Sequence, residues 1–162
     1  MMSAYDVLTG IQLCMALVLI AYALYFQKKR TCSLLFFHGP YVLSVVWAGA
    51  VIYYYSEYLF LTLLCFLMAF FLGLGVVLWL KKGLPVLHYD KEAGKLICPP
   101  LRMAPVFTVL FILLFGLIQA GIYRFPFLNH VWLFNEGLGF VPGFCLGYFW
   151  GRGLAMLLRL SD

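Results

Sequence analysis

Charged residues are scarce in this chain. Only 10% of its 162 residues are Asp, Glu, Lys or Arg, against about 25% in soluble domains, whereas 65% are hydrophobic. The composition excludes an ordinary soluble protein, and the net charge of +5 is not a nucleic-acid signal. The sequence also lacks an HExxH motif, paired acidic residues, a phosphate loop and a serine or cysteine nucleophile beside a histidine. It therefore indicates no catalytic residues and no cofactor, and leans against an enzyme.

A cysteine framework is missing as well. The five cysteines are odd in number and form no Cys-x-x-Cys pair: Cys14, Cys32, Cys65, Cys98 and Cys145. Three of them lie in apolar segments, where cysteine behaves as a small buried hydrophobe. The spacing favours free thiols and predicts no metal site.

Long apolar segments dominate what is present. A bilayer core about 30 Å thick needs roughly 20 apolar residues in a helix. Five segments approach that length: residues 5–26, 40–57, 58–80, 105–124 and 139–160. The sequence predicts an all-α integral membrane protein, a single-domain bundle of about five transmembrane helices. Residues 31–39 and 125–136 are too short to cross and are predicted to lie in the interface.

The polar loop 81–104 separates the third and fourth predicted spans. Its order of apolar and turn residues resembles a small β-hairpin over residues 85–98, with Gly94 supplying a positive φ. If the N-terminus is outside, every basic residue except Arg124 falls at the inner end. The positive-inside rule then predicts a multi-pass protein of the inner (plasma) membrane, with a cytoplasmic loop and C-terminus.

A glycine occupies every fourth position of the last span. We call this set the glycine stripe: Gly139, Gly143, Gly147 and Gly151. Small residues four apart, typical of a glycine zipper, stay on one helix face and let another backbone approach closely. Gly116 and Ala120 form a similar pair in the fourth span. Three uses remain open: packing within the chain, contact between copies, or a path for lipid, ion or substrate.

Pro142 interrupts this pattern, because proline lacks an N–H and clashes with the preceding helical turn. The last helix could therefore begin at Val141 or Pro142, which would leave only three glycines of the stripe in the helix.

Arg152 and Arg159 are cations near the inner end of the last span. Their side chains could snorkel to phosphates or bond backbone carbonyls, or form an anion or lipid-headgroup site at the inner face. The polar residues Gln12 and Gln119 lie within spans and are predicted to bridge helices.

Two functions follow from these features. The first is a non-enzymatic packing, assembly or accessory protein of the lipid bilayer that associates as a homo-oligomer or within a larger membrane complex. The alternative is a small transporter-like or anionic lipid- or anion-binding protein that uses Arg152 and the inner loop.

Two stretches, LPVLHYDKEAGKL and GYFWGRGLAMLL, together resemble an uncharacterised family of small five-span bacterial inner-membrane proteins. The shared features are a Leu-Pro…Asp…Gly-x-Leu…Pro loop and a Gly-Arg pair in the last span. Cys98-Pro99-Pro100 stands where the family pattern has Pro-Gly-Ser. The resemblance implies a membrane class and location, and it brings no activity with it.

Overall fold

The computed structural model describes residues 4–80, 84–102 and 104–159, and within them the chain forms five α-helices and a small sheet. The helices are α1 (Ala4–Tyr25), α2 (Leu34–Tyr55), α3 (Leu59–Leu80), α4 (Ala104–Arg124) and α5 (Trp132–Leu157). The strands are β1 (Arg30–Cys32), β2 (His88–Asp90) and β3 (Lys95–Cys98), and a 3₁₀ turn covers Pro126–His130. In these described ranges, α1 to α4 are long and apolar enough to cross a membrane.

Three helices match the predicted spans closely. The first, third and fourth spans were expected at 5–26, 58–80 and 105–124, and α1, α3 and α4 begin and end within one residue of those limits. These are the segments with continuous apolar character and no internal proline. The end of the predicted fifth span, residue 160, lies outside the described residues.

α2 begins well before the predicted start at Pro40. Ser33 caps the helix, because its Oγ accepts a hydrogen bond from the backbone N–H of Phe36 at 3.2 Å. Pro40 therefore lies inside the helix, and the Ser44 hydroxyl donates to its carbonyl oxygen at 2.7 Å. Residues 31–39, predicted to lie in the interface, are not a separate element, since β1 and the first turns of α2 share them.

α5 also begins early, at Trp132 rather than at Gly139. Residues 125–136 divide between the 3₁₀ turn and the first turn of this helix, so they form no independent interfacial segment. Pro142 lies inside the helix and is fully buried, and the helix continues through it. All four positions of the glycine stripe are therefore helical.

The sheet lies at one end of the bundle, with strand order β1-β3-β2 and antiparallel pairing throughout. β2 and β3 form the hairpin that the loop sequence predicts, with Tyr89 opposite Leu96. Gly94 has φ = 61°, and the Asp90 carboxylate accepts two backbone N–H bonds in the turn, each 3.1 Å long. β1 is an addition that places Arg30 opposite Cys98.

We call the end that carries the sheet the cation-rich end. Its described loop and terminal positions include most of the basic residues: Lys28, Lys29, Arg30, Lys91, Lys95, Arg102 and Arg159. A buried cluster containing Phe26, Phe37 and Leu87 joins the sheet to the helices there. The Leu101 N–H donates to the Phe26 carbonyl at 2.8 Å, which ties the segment before α4 to the end of α1.

Candidate functional site

The glycine stripe lies against the backbone of α3. Each glycine faces an α3 residue at the same sequence offset: Thr62, Phe66, Phe70 and Leu74. A Cβ added at Gly143 would lie 3.0 Å from the Phe66 Cα, and one added at Gly151 would lie 3.1 Å from the Leu74 Cα. The constant offset means that α3 and α5 run parallel and in register. The stripe is thus covered by a helix of the same chain.

The close contact between the two helices also depends on a glycine of α3. A Cβ added at Gly73 would lie 2.9 Å from the backbone nitrogen of Tyr148. Gly116 and Ala120, the other pair singled out in the sequence, are placed differently. Both are exposed on α4, and a Cβ at Gly116 would meet nothing within 4 Å among the described residues. Gly116 instead lines a small cavity between α1 and α4, and no other backbone lies against it as α3 lies against the glycine stripe in the described chain.

A cavity of about 520 Å³ opens at the cation-rich end. Four helices line it, namely α1, α2, α4 and α5, together with the loop residues Leu84, Pro85, Pro100 and Leu101. Its polar lining residues are Tyr22, Tyr41, Ser44, Arg102, Thr108 and Arg152. The part of the lining that the structure describes includes two arginines, the half-buried Arg152 and the exposed Arg102, and no carboxylate.

Arg152 reaches this cavity from α5 and is half-buried. Its Cζ lies 5.4 Å from the ring centroid of Phe107 on α4, within the range of a cation–π contact. Tight packing of the neighbouring glycines leaves little room elsewhere, since Gly151 touches α3 and a Cβ at Gly153 would lie 3.4 Å from the Tyr41 ring. The guanidinium is therefore directed into the space between α4 and α5.

Arg102 and Arg159 differ in their position relative to this cavity. Arg102 is exposed but lines the same cavity from the segment before α4, and no sequence pattern singled it out. Arg159, which the sequence grouped with Arg152, is exposed beyond the end of α5 and is not part of the cavity. The structure therefore pairs Arg152 with Arg102 as the basic groups of this site.

Three of the four cavity hydroxyls already have partners. Tyr22 donates to the Phe37 carbonyl at 2.8 Å, and the Tyr41 hydroxyl is hydrogen-bonded to that of Tyr22. Ser44 is bound to the Pro40 carbonyl. The Thr108 hydroxyl and the guanidinium groups of Arg152 and Arg102 are therefore the donors of the lining with capacity to bind an anion, since a guanidinium carries five N–H bonds.

A smaller cavity of about 170 Å³ lies further along the bundle, between α1 and α4. Gln119 spans it, donating from Nε2 to the Thr9 hydroxyl at 2.8 Å, and so links the two helices. Gln12 also lines it, but its Nε2 is buried with no acceptor among the described residues, as is Nε1 of Trp47. The two glutamines that looked alike in sequence thus have different surroundings.

At the opposite end, Asn135 is completely buried and satisfies every part of its amide. Its Oδ1 accepts from the Ser56 hydroxyl at 2.9 Å and the Glu57 N–H at 3.2 Å, while Nδ2 donates to the carbonyls of Asn129 and Val131. This residue fixes the start of α5 to the turn between α2 and α3. Asn135 is one of two asparagines in the aromatic stretch 125–136, which was the available sequence signal, and sequence reasoning missed it.

Cys32 and Cys98 lie close together in the sheet, with their Sγ atoms 3.4 Å apart and both thiols buried and free. Burial raises the pKa of each thiol. Among the described residues, no three His, Cys, Asp or Glu side chains come together as a metal site would require. The arrangement is that of a protonated dithiol in an apolar setting.

Comparison with known proteins yields no relative. The sequence matches no protein family, no curated protein and no solved structure at a significant level. The resemblance to an uncharacterised membrane-protein family accordingly stays a prediction. The function must be argued from the geometry of the cavity and the four apolar helices.

Proposed function

We propose that this protein binds an anionic group in the cavity at its cation-rich end. The observation that carries the proposal is the Arg152 guanidinium, half-buried beside Phe107 in a cavity of about 520 Å³ whose described lining holds no carboxylate. A guanidinium removed from bulk water needs a counter-charge, because an uncompensated buried charge is costly. Arg102 at the same cavity doubles the positive charge.

A phosphate group suits the site best. Guanidinium N–H bonds are arranged in a planar fork that matches two oxygens of a phosphate or carboxylate. The aromatic and aliphatic walls lower the local dielectric and so strengthen that attraction relative to water. Since three of the four lining hydroxyls are bonded to one another or to carbonyls, the preference for an anion comes from the charge of the two arginines, with the Thr108 hydroxyl as a further donor.

The site belongs to a multi-pass membrane protein in this proposal. Because α5 runs parallel to α3 with its glycines against the α3 backbone, α5 crosses wherever α3 crosses, which supports five spans. The concentration of cations at the sheet end supports a cytoplasmic location for that end, with the N-terminus outside. The cavity then opens at the cytoplasmic face of the plasma membrane.

Association with another copy or a larger membrane complex has less support. The glycine stripe was the main reason to expect it, and α3 covers that stripe. A role in anion or lipid binding therefore replaces assembly as the function that the geometry favours.

The test is a binding titration with inorganic phosphate on the full chain in nanodiscs of neutral phosphatidylcholine. Arg152→Gln is expected to weaken phosphate binding at least tenfold, and Arg152→Lys to retain part of it, since lysine keeps the charge but loses the fork. Arg124→Gln is the matched control, because it removes a guanidinium at the opposite end. Equal affinities in the wild type and Arg152→Gln, or no binding by either, would overturn the proposal.

A further inference from the structure

The cavity is charged at its mouth and apolar at its deep end. Along α5, Leu146 lies about 9 Å deeper than Arg152, at 1.5 Å per residue. Along α4, Phe111 lies about 10 Å deeper than Ala104 at the same rise. The deep lining is otherwise Leu19 and Phe149, with Ser44 as its polar member, and the hydroxyl of Ser44 is bonded to a backbone carbonyl. Thr108 lies between Ala104 and Phe111 along α4 and so belongs to the polar part of the cavity.

This polarity runs in the same direction as that of a lipid in the adjacent leaflet. Such a lipid places its headgroup at the cation-rich end and its chains toward the middle of the bundle. A free phosphate would occupy only the region of Arg102 and Arg152 and would leave the apolar depth without a function. The depth of the cavity beyond Arg152 is therefore the feature that separates an amphiphile from a simple anion.

We infer that the ligand is an anionic, phosphate-bearing membrane lipid, with its phosphate at Arg152 and Arg102 and one chain along Phe111, Leu146 and Leu19. This inference rests on the proposed anion-binding function and adds that the bound anion carries an acyl chain. The source of the phosphate is thus the bilayer rather than the aqueous phase.

A series of alkyl phosphates of increasing chain length tests whether the cavity binds an apolar chain. Inorganic, ethyl, butyl and hexyl phosphate are titrated against the full chain in phosphatidylcholine nanodiscs, with empty nanodiscs as the partition control. Each buried methylene can raise affinity by up to roughly fourfold. We expect affinity to rise at least tenfold from ethyl to hexyl phosphate, and to depend on Arg152 throughout.

Ser44 provides a matched pair of variants. Ser44→Phe adds volume to the deep end and is expected to remove the gain in affinity from longer chains. Ser44→Ala loses the same hydroxyl without adding volume and is expected to keep the gain. Cooperative thermal unfolding of both variants in detergent shows that they are folded, and an undiminished gain in folded Ser44→Phe would overturn the lipid inference.

The outcomes distinguish a failure of the lipid inference from a failure of the proposed anion-binding function. Arg152-dependent binding of phosphate with no effect of chain length would overturn the lipid inference and leave the anion site standing. Binding that does not depend on Arg152 would overturn both. Adding phosphatidylglycerol to the nanodiscs should displace hexyl phosphate, whereas extra phosphatidylcholine should not, and equal displacement by the two lipids would contradict an anionic lipid as the occupant.

Discussion

The carbonyl group of Phe70 on α3 occupies the space that a side chain at Gly147 on α5 would need. A Cβ added at Gly147 would lie 2.7 Å from the carbonyl carbon of Phe70, well inside van der Waals contact. This pair is one step of the parallel interface between the two helices, and its closeness makes the interface sensitive to a single methyl group.

Gly147→Ala is therefore expected to destabilise the protein. The added methyl group must separate two backbones, and overpacking of this kind costs about 1–3 kcal/mol. Thermal unfolding in detergent should show a lower midpoint for this variant. Gly116→Ala is the control, because its Cβ would meet open space within the described residues, and it should change the midpoint little or raise it. Equal losses in the two variants would contradict the close contact of α3 and α5.

The two glutamines should respond differently to the same change. Gln119→Leu removes the hydrogen bond to Thr9 and is expected to cost about 0.6 kcal/mol, the average for such bonds between membrane helices. Gln12→Leu removes a buried donor that has no acceptor in the described chain, so it should be neutral or stabilising. Unfolding of both variants under identical detergent conditions measures the difference, and a larger loss for Gln12→Leu would show that its amide has a partner.

Asn135→Leu is expected to be among the most damaging polar substitutions. It leaves the Glu57 N–H, the Ser56 hydroxyl and two carbonyls without their amide partner, at a cost of at least about 2 kcal/mol. Asn129→Ala is the companion variant, because the side-chain oxygen of Asn129 is buried with no donor in the described part of the chain. Its effect should stay within about 0.5 kcal/mol. Similar losses at the two positions would argue against this network.

The dithiol predicts a pH dependence of stability. Burial raises the pKa of Cys98, and its hydrogen bond with Cys32 adds to the rise. An unfolded thiol ionises near its ordinary pKa of 9.0 while the folded one stays protonated, so this contribution is complete below that pH and is lost as the pH rises above it. The stability difference between the wild type and Cys98→Ala should be constant from pH 6 to 8 and shrink from pH 8 to 10. Parallel curves over the whole range would contradict the prediction.

Sequence patterns predicted the elements whose signals are local. Continuous apolar runs located α1, α3 and α4, and Gly94 located the hairpin turn. The sequence did not predict β1, because three residues form a strand only by pairing with β3, which lies far along the chain. The predicted α2 was too short because Pro40 was read as a helix start, whereas Ser33 caps the helix upstream of it. The predicted α5 was too short because residues 125–136 were read as an interfacial segment, whereas the helix begins at Trp132.

The sequence predicted one basic residue of the site and missed the other. Arg152 stands out in sequence because it is a cation within an apolar segment. Arg102 does not, since a basic residue in a polar loop is ordinary, and its role depends on the fold of residues 100–102 against Phe26. The cavity itself is formed by four helices and two loop segments, so no single stretch of sequence carries its signal.

The parallel arrangement of α3 and α5 also sets an order of events during synthesis. α3 leaves the ribosome first, and α4 must be made and turned back before α5 can reach it. The close backbone contact between α3 and α5 is thus completed last, after most of the chain has already been translated. A chain truncated before Trp132 would keep four apolar helices but lose the contact of α5 with Phe66 and Phe70, so we expect that intermediate to be less stable than the full chain.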